Sequence, residues 1–261
     1  MRRVVGLPEW FEVFFDRFYY ETYSVFQGEE RNEAEARFIV DALGIKPGMR
    51  VLDVACGYAR HAVYLARWGL DVVCYDLSPY LLEKARERIR EFNVEDKVEV
   101  VRGDMRSLPY RGEFDAAYLF YTSFGFFSDE DNMRVLQSLH NSLRPGGRLL
   151  IDQSNTLRLI RDAVEHRGSW RIWYEAGPYI VLEESRLDPL EGRLHVVRDY
   201  LDKETGRRQG QAWFTLRAYT PWELTNLIDR AGMRVEKVLG SRRGEEYQAD
   251  SPRIIVIARK Q

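Results

Sequence analysis

Cysteine is scarce: Cys56 and Cys74 are the only two in 261 residues, too few for a disulfide framework and suited to a reducing compartment. No window reaches the roughly 18 apolar residues that a membrane helix needs. The opening MRRVVGLP has two positive charges but no apolar core of a signal peptide. A soluble cytoplasmic protein without a membrane partner is therefore expected. An excess of charge of one sign is also lacking. Lysine and arginine total 39 against 41 acids, which argues against a dedicated nucleic-acid binder. Only six of those cations are lysine, a bias that suits surface ion-pair networks. The histidines at 61, 140, 166 and 195 show no metal-ligand spacing, so no metal is expected. Internal repeats and low-complexity segments are missing too.

What is present is a regular alternation. Residues 9–26, rich in aromatics, predict a helix starting after Pro8. A second helix is expected near Asn32, with Asn32 as cap and Glu35 reaching back, ending at Gly44 and Pro47. From Arg50 onward strands and helices alternate. RVLDVA, DVVCYD, VEVV, FDAAYLF and RLLIDQ read as strands, and YARHAVYLARW as the first helix between them. Ser78 followed by Pro79, and Ser128 followed by three acids, begin the next two helices, while Pro145-Gly146-Gly147 is a turn into RLLIDQ. Nearly continuous apolar runs suit parallel strands covered on both faces. After residue 168 four runs joined by hairpin-length turns predict an antiparallel insertion. Thr220-Pro221-Trp222-Glu223 then opens another helix, and MRVEKVL and RIIVIAR close the chain. The expected fold is α/β, a doubly wound, mostly parallel seven-stranded sheet with an antiparallel β insertion. Its parts are N-terminal helices at 1–44, a Rossmann-like domain at 45–167 and 220–261, and the insertion at 168–219.

Three carboxylates occupy comparable places: Asp53 late in the first strand, Asp76 at the end of the second and Asp104 just after the third. Ligands of open α/β sheets bind outside the carboxyl ends of the strands. Asp76, one βαβ step beyond Asp53, is placed to accept hydrogen bonds from ribose hydroxyls. Gly57 lets the backbone approach a ligand. A dinucleotide fingerprint G-x-G-x-x-G is not met, because the segment reads Ala55-Cys56-Gly57-Tyr58-Ala59-Arg60. That loop is poor for a pyrophosphate and acceptable for a ligand without phosphates.

LDVACGYARH, then YDLS, GDMRSLP, FDAAYLFYTSFGFF and LRPGGRLLID, resemble in order the class I S-adenosylmethionine-dependent methyltransferases. The resemblance implies S-adenosylmethionine as cofactor. It implies Asp53 and the turn Ala55, Cys56, Gly57 at the methionine moiety and ribose, and Asp76 with Leu77 at the ribose. It also implies Gly103, Asp104 and the Met105 backbone at the adenine, and Phe120 as a wall. Ala59 stands where the family loop C-G-x-G-R has its second glycine. In related enzymes an N-terminal helix closes over the cofactor and presents a tyrosine, which nominates Tyr20, with Tyr23 second.

The acceptor side is less sharply marked. Ser123 could face the acceptor, and Asp152 and Asn155 could contact it or cap the next helix. Arg242, Arg243, Tyr247 and Arg253, between the last two strands, suit an acidic substrate or a solvated loop. His61 suits a base or a structural role. Signatures of nucleic-acid base methylation (D/N-P-P-Y/F, Pro-Cys) are missing, so a small-molecule N- or O-acceptor is expected, with the insertion as lid, homodimer surface or both. An NAD(P)-dependent oxidoreductase, a non-catalytic cofactor-binding protein and, less favoured, a tRNA or protein methyltransferase are the alternatives.

Overall fold

The structure, a computed structural model, describes residues 9–261, so MRRVVGLP and the start at Pro8 lie outside the described residues. Seven strands form the main sheet: β1 (Arg50–Val54), β2 (Asp71–Asp76), β3 (Val98–Arg102), β4 (Phe114–Leu119), β5 (Leu143–Ser154), β10 (Met233–Leu239) and β11 (Arg253–Lys260). Their order is β10-β11-β5-β4-β1-β2-β3. All neighbours from β3 to β5 are parallel, and β11 is antiparallel to both β5 and β10. The doubly wound sheet expected from the sequence is thus observed. Because β10 is reversed twice relative to β5, the β10–β11 loop opens at the same carboxyl edge as the turns after β1, β2 and β4.

The helices begin where their caps put them. Ser78 accepts from the Leu81 amide at 3.1 Å and starts α5 (Pro79–Glu91), and Ser128 accepts from Asp131 and starts α6 (Asp129–Ser142). Asn155 caps α7 (Thr156–Glu165), and Thr220 with Glu223 forms the capping box of α8 (Pro221–Arg230). Apolar clusters fill both faces of the sheet. The insertion, β6 (Ser169–Ala176), β7 (Tyr179–Asp188), β8 (Arg193–Asp202) and β9 (Arg208–Arg217), is a separate antiparallel sheet in sequential order.

Four local expectations are corrected. Residues 9–26 form two short helices, α1 (Trp10–Val13) and α2 (Arg17–Tyr23), followed by a 3₁₀ turn, because the Asp16 side chain caps a fresh start by accepting from the Tyr19 amide. The helix α3 (Glu29–Leu43) starts at Gly28, four residues before the expected cap. Asn32 and Glu35 are therefore buried within it, turned to partners across the core. The helix α4 (Ala62–Arg67) begins four residues later than the sequence suggests, since residues 55–61 are spent in the turn after β1. Pro145-Gly146-Gly147 lies inside β5 as a kink, with Gly146 at φ +77° and a register slip against β4.

The turn after β1 is held by Ala55 and Cys56 amides donating to the Tyr75 carbonyl. Ala55, Gly57 and Ala59 all adopt left-handed φ, +57°, +57° and +58°. The chain keeps the backbone that glycines ordinarily provide while carrying two methyl groups. Left-handed φ costs an L-residue roughly 1–2 kcal/mol, and Ala59, fully buried, recovers roughly 0.8 kcal/mol from its methyl group. Replacement of Ala59 by glycine is expected to leave the unfolding free energy within about 1 kcal/mol of wild type, as the strain relieved offsets lost burial and greater chain entropy. Ala59→Val is expected to cost more than about 2 kcal/mol, from β-branched strain and overpacking. Denaturant titrations of both variants check this pair, and equal losses would refute it.

Candidate active site

The turn after β1, the ends of β2 and β3 and the N-terminal helices enclose one cavity of about 60 Å³. Its lining includes Ala55, Gly57, Asp76, Leu77, Gly103, Asp104 and Met105, which the sequence nominated, and Ser123. Phe11, Phe15 and Tyr19 from the N-terminal segment, which the sequence did not single out, join Phe126 and Phe127 of the aromatic run after β4 in one wall. Ligand sites ordinarily measure roughly 300–1,000 Å³, so these rings occupy much of the space a nucleoside would need. Ser78 Oγ donates to the Phe15 carbonyl at 2.5 Å and ties that segment to the end of β2.

Asp76 is buried, and each of its oxygens accepts one backbone amide, Gly57 at 2.9 Å and Ser78 at 2.9 Å. Burial raises its pKa above the ordinary carboxylate value and the amides oppose that rise. A lone pair remains on each oxygen for a diol. Asp104 is held by Arg106 through Nε and Nη2, the latter at 2.6 Å, and Arg106 Nη1 reaches Asp131 at 3.1 Å. Although partial burial favours the acid form, these bonds hold the Asp104 pKa below its ordinary value. Gly103 is constrained by its neighbour: a Cβ there would lie 1.9 Å from the Tyr75 hydroxyl.

Other nominated residues lie elsewhere. Tyr20 packs edge-on against Tyr58 at 5.2 Å and Tyr80 at 6.2 Å, and Tyr19 takes the place on the cavity wall. The new helix start at Asp16 decides which tyrosine turns inward. Asp53 and Cys56 are buried behind the turn and Phe120 is buried after β4, none of them lining the cavity. Burial pushes the Asp53 carboxyl up to about 7, opposed by Tyr118 and the Arg60 charge. Both cysteines are free and buried.

A second constellation lies around β5 and the β10–β11 loop. Asp152, wholly buried, accepts from Arg242 Nη2 and Arg253 Nε, both at 2.7 Å, and from the Tyr121 amide at 3.0 Å. Glu35 accepts from Arg60, from Arg242 and from Arg31 Nε at 3.0 Å. His61 Nε2 lies 3.1 Å from Glu35 Oε2. Burial, aided by the adjacent Arg60 charge, pushes His61 down to about 3 although Glu35 pulls it up. Burial and the Arg60 charge favour the uncharged ring, whose Nε2 faces the Glu35 carboxylate, a contact that suits the structural reading of His61. Arg253 and Arg242 serve Asp152, and Arg243 is exposed. Tyr247 donates to Asn155 Oδ1 at 2.8 Å, and Asn155 caps α7 while its amide holds the Ala249 and Ser251 carbonyls. Of its two sequence readings, the cap is the one observed for Asn155.

Among the described residues, no group of three or more His, Cys, Asp or Glu side chains is placed to hold a metal ion, and no helix is long and apolar enough to cross a membrane.

Residues 51–147 match a family model described as a methyltransferase domain. The chain is 34% identical over 119 residues to the ubiquinone/menaquinone biosynthesis C-methyltransferase of Enterobacter sp. (strain 638), a match covering 44% of this chain and 46% of that protein. It is 32% identical over 165 residues to the glycine/sarcosine/dimethylglycine N-methyltransferase of Actinopolyspora halophila, covering 61% of this chain and 28% of that one. The chain thus spans about half the length, or less, of these relatives. Among solved structures, the CcbJ methyltransferase from Streptomyces caelestis shares the fold with a TM-score of 0.79 at 20% identity, over 95% of this chain and 98% of that one. The region from β1 into β5 thus matches a methyltransferase domain, in a chain whose fold is shared with a solved methyltransferase and whose acids ending β2 and following β3 line one cavity.

Proposed function

We propose that the chain transfers a methyl group from S-adenosylmethionine to a nitrogen or oxygen atom of a small-molecule acceptor. The observation that carries this reading is the single cavity in which Asp76 and Asp104 are brought together beside Gly57 and Gly103. Asp76 would take the ribose hydroxyls on its free lone pairs, and Asp104 the adenine amino group. Leu77 and Met105 would flank the ring. The turn Ala55–Gly57 would hold the methionine end, with Asp53 and Cys56 behind it. Adenosylmethionine supplies, when bound, a methyl group already activated by the positive sulfur. The residues present suit a binding role.

The protein's part is to exclude water and orient the acceptor. Ser123 lies on the cavity wall and donates to the Phe120 carbonyl at 2.8 Å, which leaves its oxygen free to accept from an acceptor group. The name of the Actinopolyspora relative supports a nitrogen acceptor and that of the Enterobacter relative a carbon acceptor. The nicotinamide alternative has no finding in its favour. We also propose that the insertion serves as lid and homodimer surface. Its inner face packs Tyr179 and Tyr200 on Phe18 of α2, and exposed Trp173, Leu182 and Trp213 lie on the insertion. The balanced charge and the unpaired cysteines support a cytoplasmic enzyme that does not act on nucleic acid.

Calorimetric titration is expected to give micromolar binding of adenosylmethionine and adenosylhomocysteine and no comparable binding of NAD. Asp76→Ala should weaken both adenosyl ligands by more than about tenfold, the loss of charge-assisted bonds to the ribose, with its melting transition retained. Unchanged affinity would remove the ribose assignment.

His61 supplies a second test. Its pKa is lowered from 6.5 to about 3 in the native state, so between those values the unfolded chain binds a proton that the native chain refuses. Stability is therefore fully present above pH 6.5 and falls as the pH drops toward 3, by up to about 1.4 kcal/mol per pH unit. His61→Gln, which keeps a donor for Glu35, is expected to lose that part of the slope in acid denaturation. Methyl transfer by this variant at neutral pH should stay within about threefold of wild type, since general-base loss ordinarily costs about a hundredfold or more. A hundredfold fall would restore His61 as base.

A further inference from the structure

Tyr121, directly after β4, stands among four guanidinium groups. Arg60 and Arg242 lie 5.2 Å from its ring centroid, Arg31 5.7 Å and Arg253 5.9 Å. Its backbone is strained: Tyr121 and Thr122 both adopt left-handed φ, +62° and +68°. Asp152 holds that conformation by accepting the Tyr121 amide on its carboxylate and the Thr122 amide on its carbonyl at 2.9 Å. Consecutive bulky residues in this region persist only where the surroundings impose it, and such strain gathers at ligand sites.

The charges do not balance. Four arginines face two carboxylates, Glu35 and Asp152, while burial favours the uncharged forms of His61 and of Asp53, whose rise the Arg60 charge opposes. One to two positive charges are left over. Donors are left over as well. Arg60 Nη2 and Arg242 Nε are buried without a hydrogen-bond partner, and Arg60 as a residue is only 6% exposed. A buried guanidinium with an idle N–H bears an uncompensated desolvation cost. Guanidinium groups are the side chains best suited to repay that cost with a carboxylate or phosphate.

Two successive ring contacts link the cluster to the wall of the cofactor cavity. Tyr19, on the cavity wall, stacks on Tyr23 at 4.4 Å, and Tyr23 meets Tyr121 edge-on at 6.2 Å. We propose that the methyl acceptor carries an anionic oxygen group, a carboxylate or a phosphate ester, and that Arg60, Arg242 and Arg31 receive it beside Tyr121. The inference rests on the methyl-transfer reading and narrows its substrate class. Of the residues the sequence offered for an acidic substrate, Arg242, Arg243, Tyr247 and Arg253, it keeps Arg242 and adds Arg60 and Arg31. The positive excess disfavours protonation of an amine on the same acceptor, leaving its lone pair available for transfer.

The test is titration of the full chain, saturated with adenosylhomocysteine, with acetate and separately with inorganic phosphate at constant ionic strength. Saturable millimolar binding of either anion is expected, weakened about tenfold in Arg60→Lys, which keeps the charge but loses the idle donor. Arg31→Gln, at a half-exposed side chain that can be lost without unfolding, should weaken the same anion severalfold. Acetate binding would identify a carboxylate and phosphate binding a phosphate ester. Adenosylhomocysteine binding with neither anion bound, or anion binding unchanged in both variants, would overturn the inference and leave the methyl-transfer reading standing. Failure to bind adenosylhomocysteine would overturn the methyl-transfer reading itself and this inference with it.

Discussion

One arginine between two buried carboxylates sets the carboxyl edge of the sheet. Arg242 donates to Glu35 through Nη1 and to Asp152 through Nη2, joining the first long helix to the end of β5 through a loop near the C-terminus. Arg60 and His61 attach the turn after β1 to the same Glu35, and Arg253 and the Tyr121 amide attach the last strand and the segment after β4 to the same Asp152. Removing one member of such a buried network ordinarily costs about 3–5 kcal/mol, yet an apolar replacement of the whole is often as stable. Its value is therefore in position more than in stability, because loops that share no backbone hydrogen bonds are fixed against one another.

The strands, their order of appearance and four helix caps were legible in the sequence because each depends on neighbours in the chain. Ser78-Pro79 and Thr220-Glu223 act within a single turn, and the apolar runs of β1, β2, β4 and β5 state their own burial. The placement of Asp76 and Asp104 was legible for a related reason, since the fold puts the end of every parallel strand at one edge. Glu35 was misread because Asn32-x-x-Glu35 has the pattern of a capping box, while three of its four partners, Arg60, His61 and Arg242, lie at least 25 residues away. Tyr19 was passed over for Tyr20 because the period of an unbroken helix was carried through Asp16. An aspartate followed by a good helix-forming run was the signal available there.

Strain is distributed unevenly over the molecule. Among the described residues six non-glycine residues adopt left-handed φ, and four of them, Ala55, Ala59, Tyr121 and Thr122, lie at the carboxyl edge in the turns after β1 and β4. The first pair is stabilised by the Tyr75 carbonyl and by burial of methyl groups, the second by Asp152. Geometry that other sequences obtain from flexible glycine is here obtained from residues with fewer conformations, so the unfolded chain has less entropy to lose when the site forms.

The smallness of the cavity also has a kinetic side. With Phe11, Phe15 and Tyr19 lining the cavity and Ser78 fastened to the Phe15 carbonyl, the proposed cofactor would need the N-terminal segment to move outward before it entered. Entry is then a two-step process, and its rate levels off at the rate of opening as ligand concentration rises. The measured dissociation constant is the intrinsic one divided by the fraction of molecules that stand open. On that reading the same door would govern exit, the spent cofactor leaving no faster than the segment opens and turnover inheriting that ceiling.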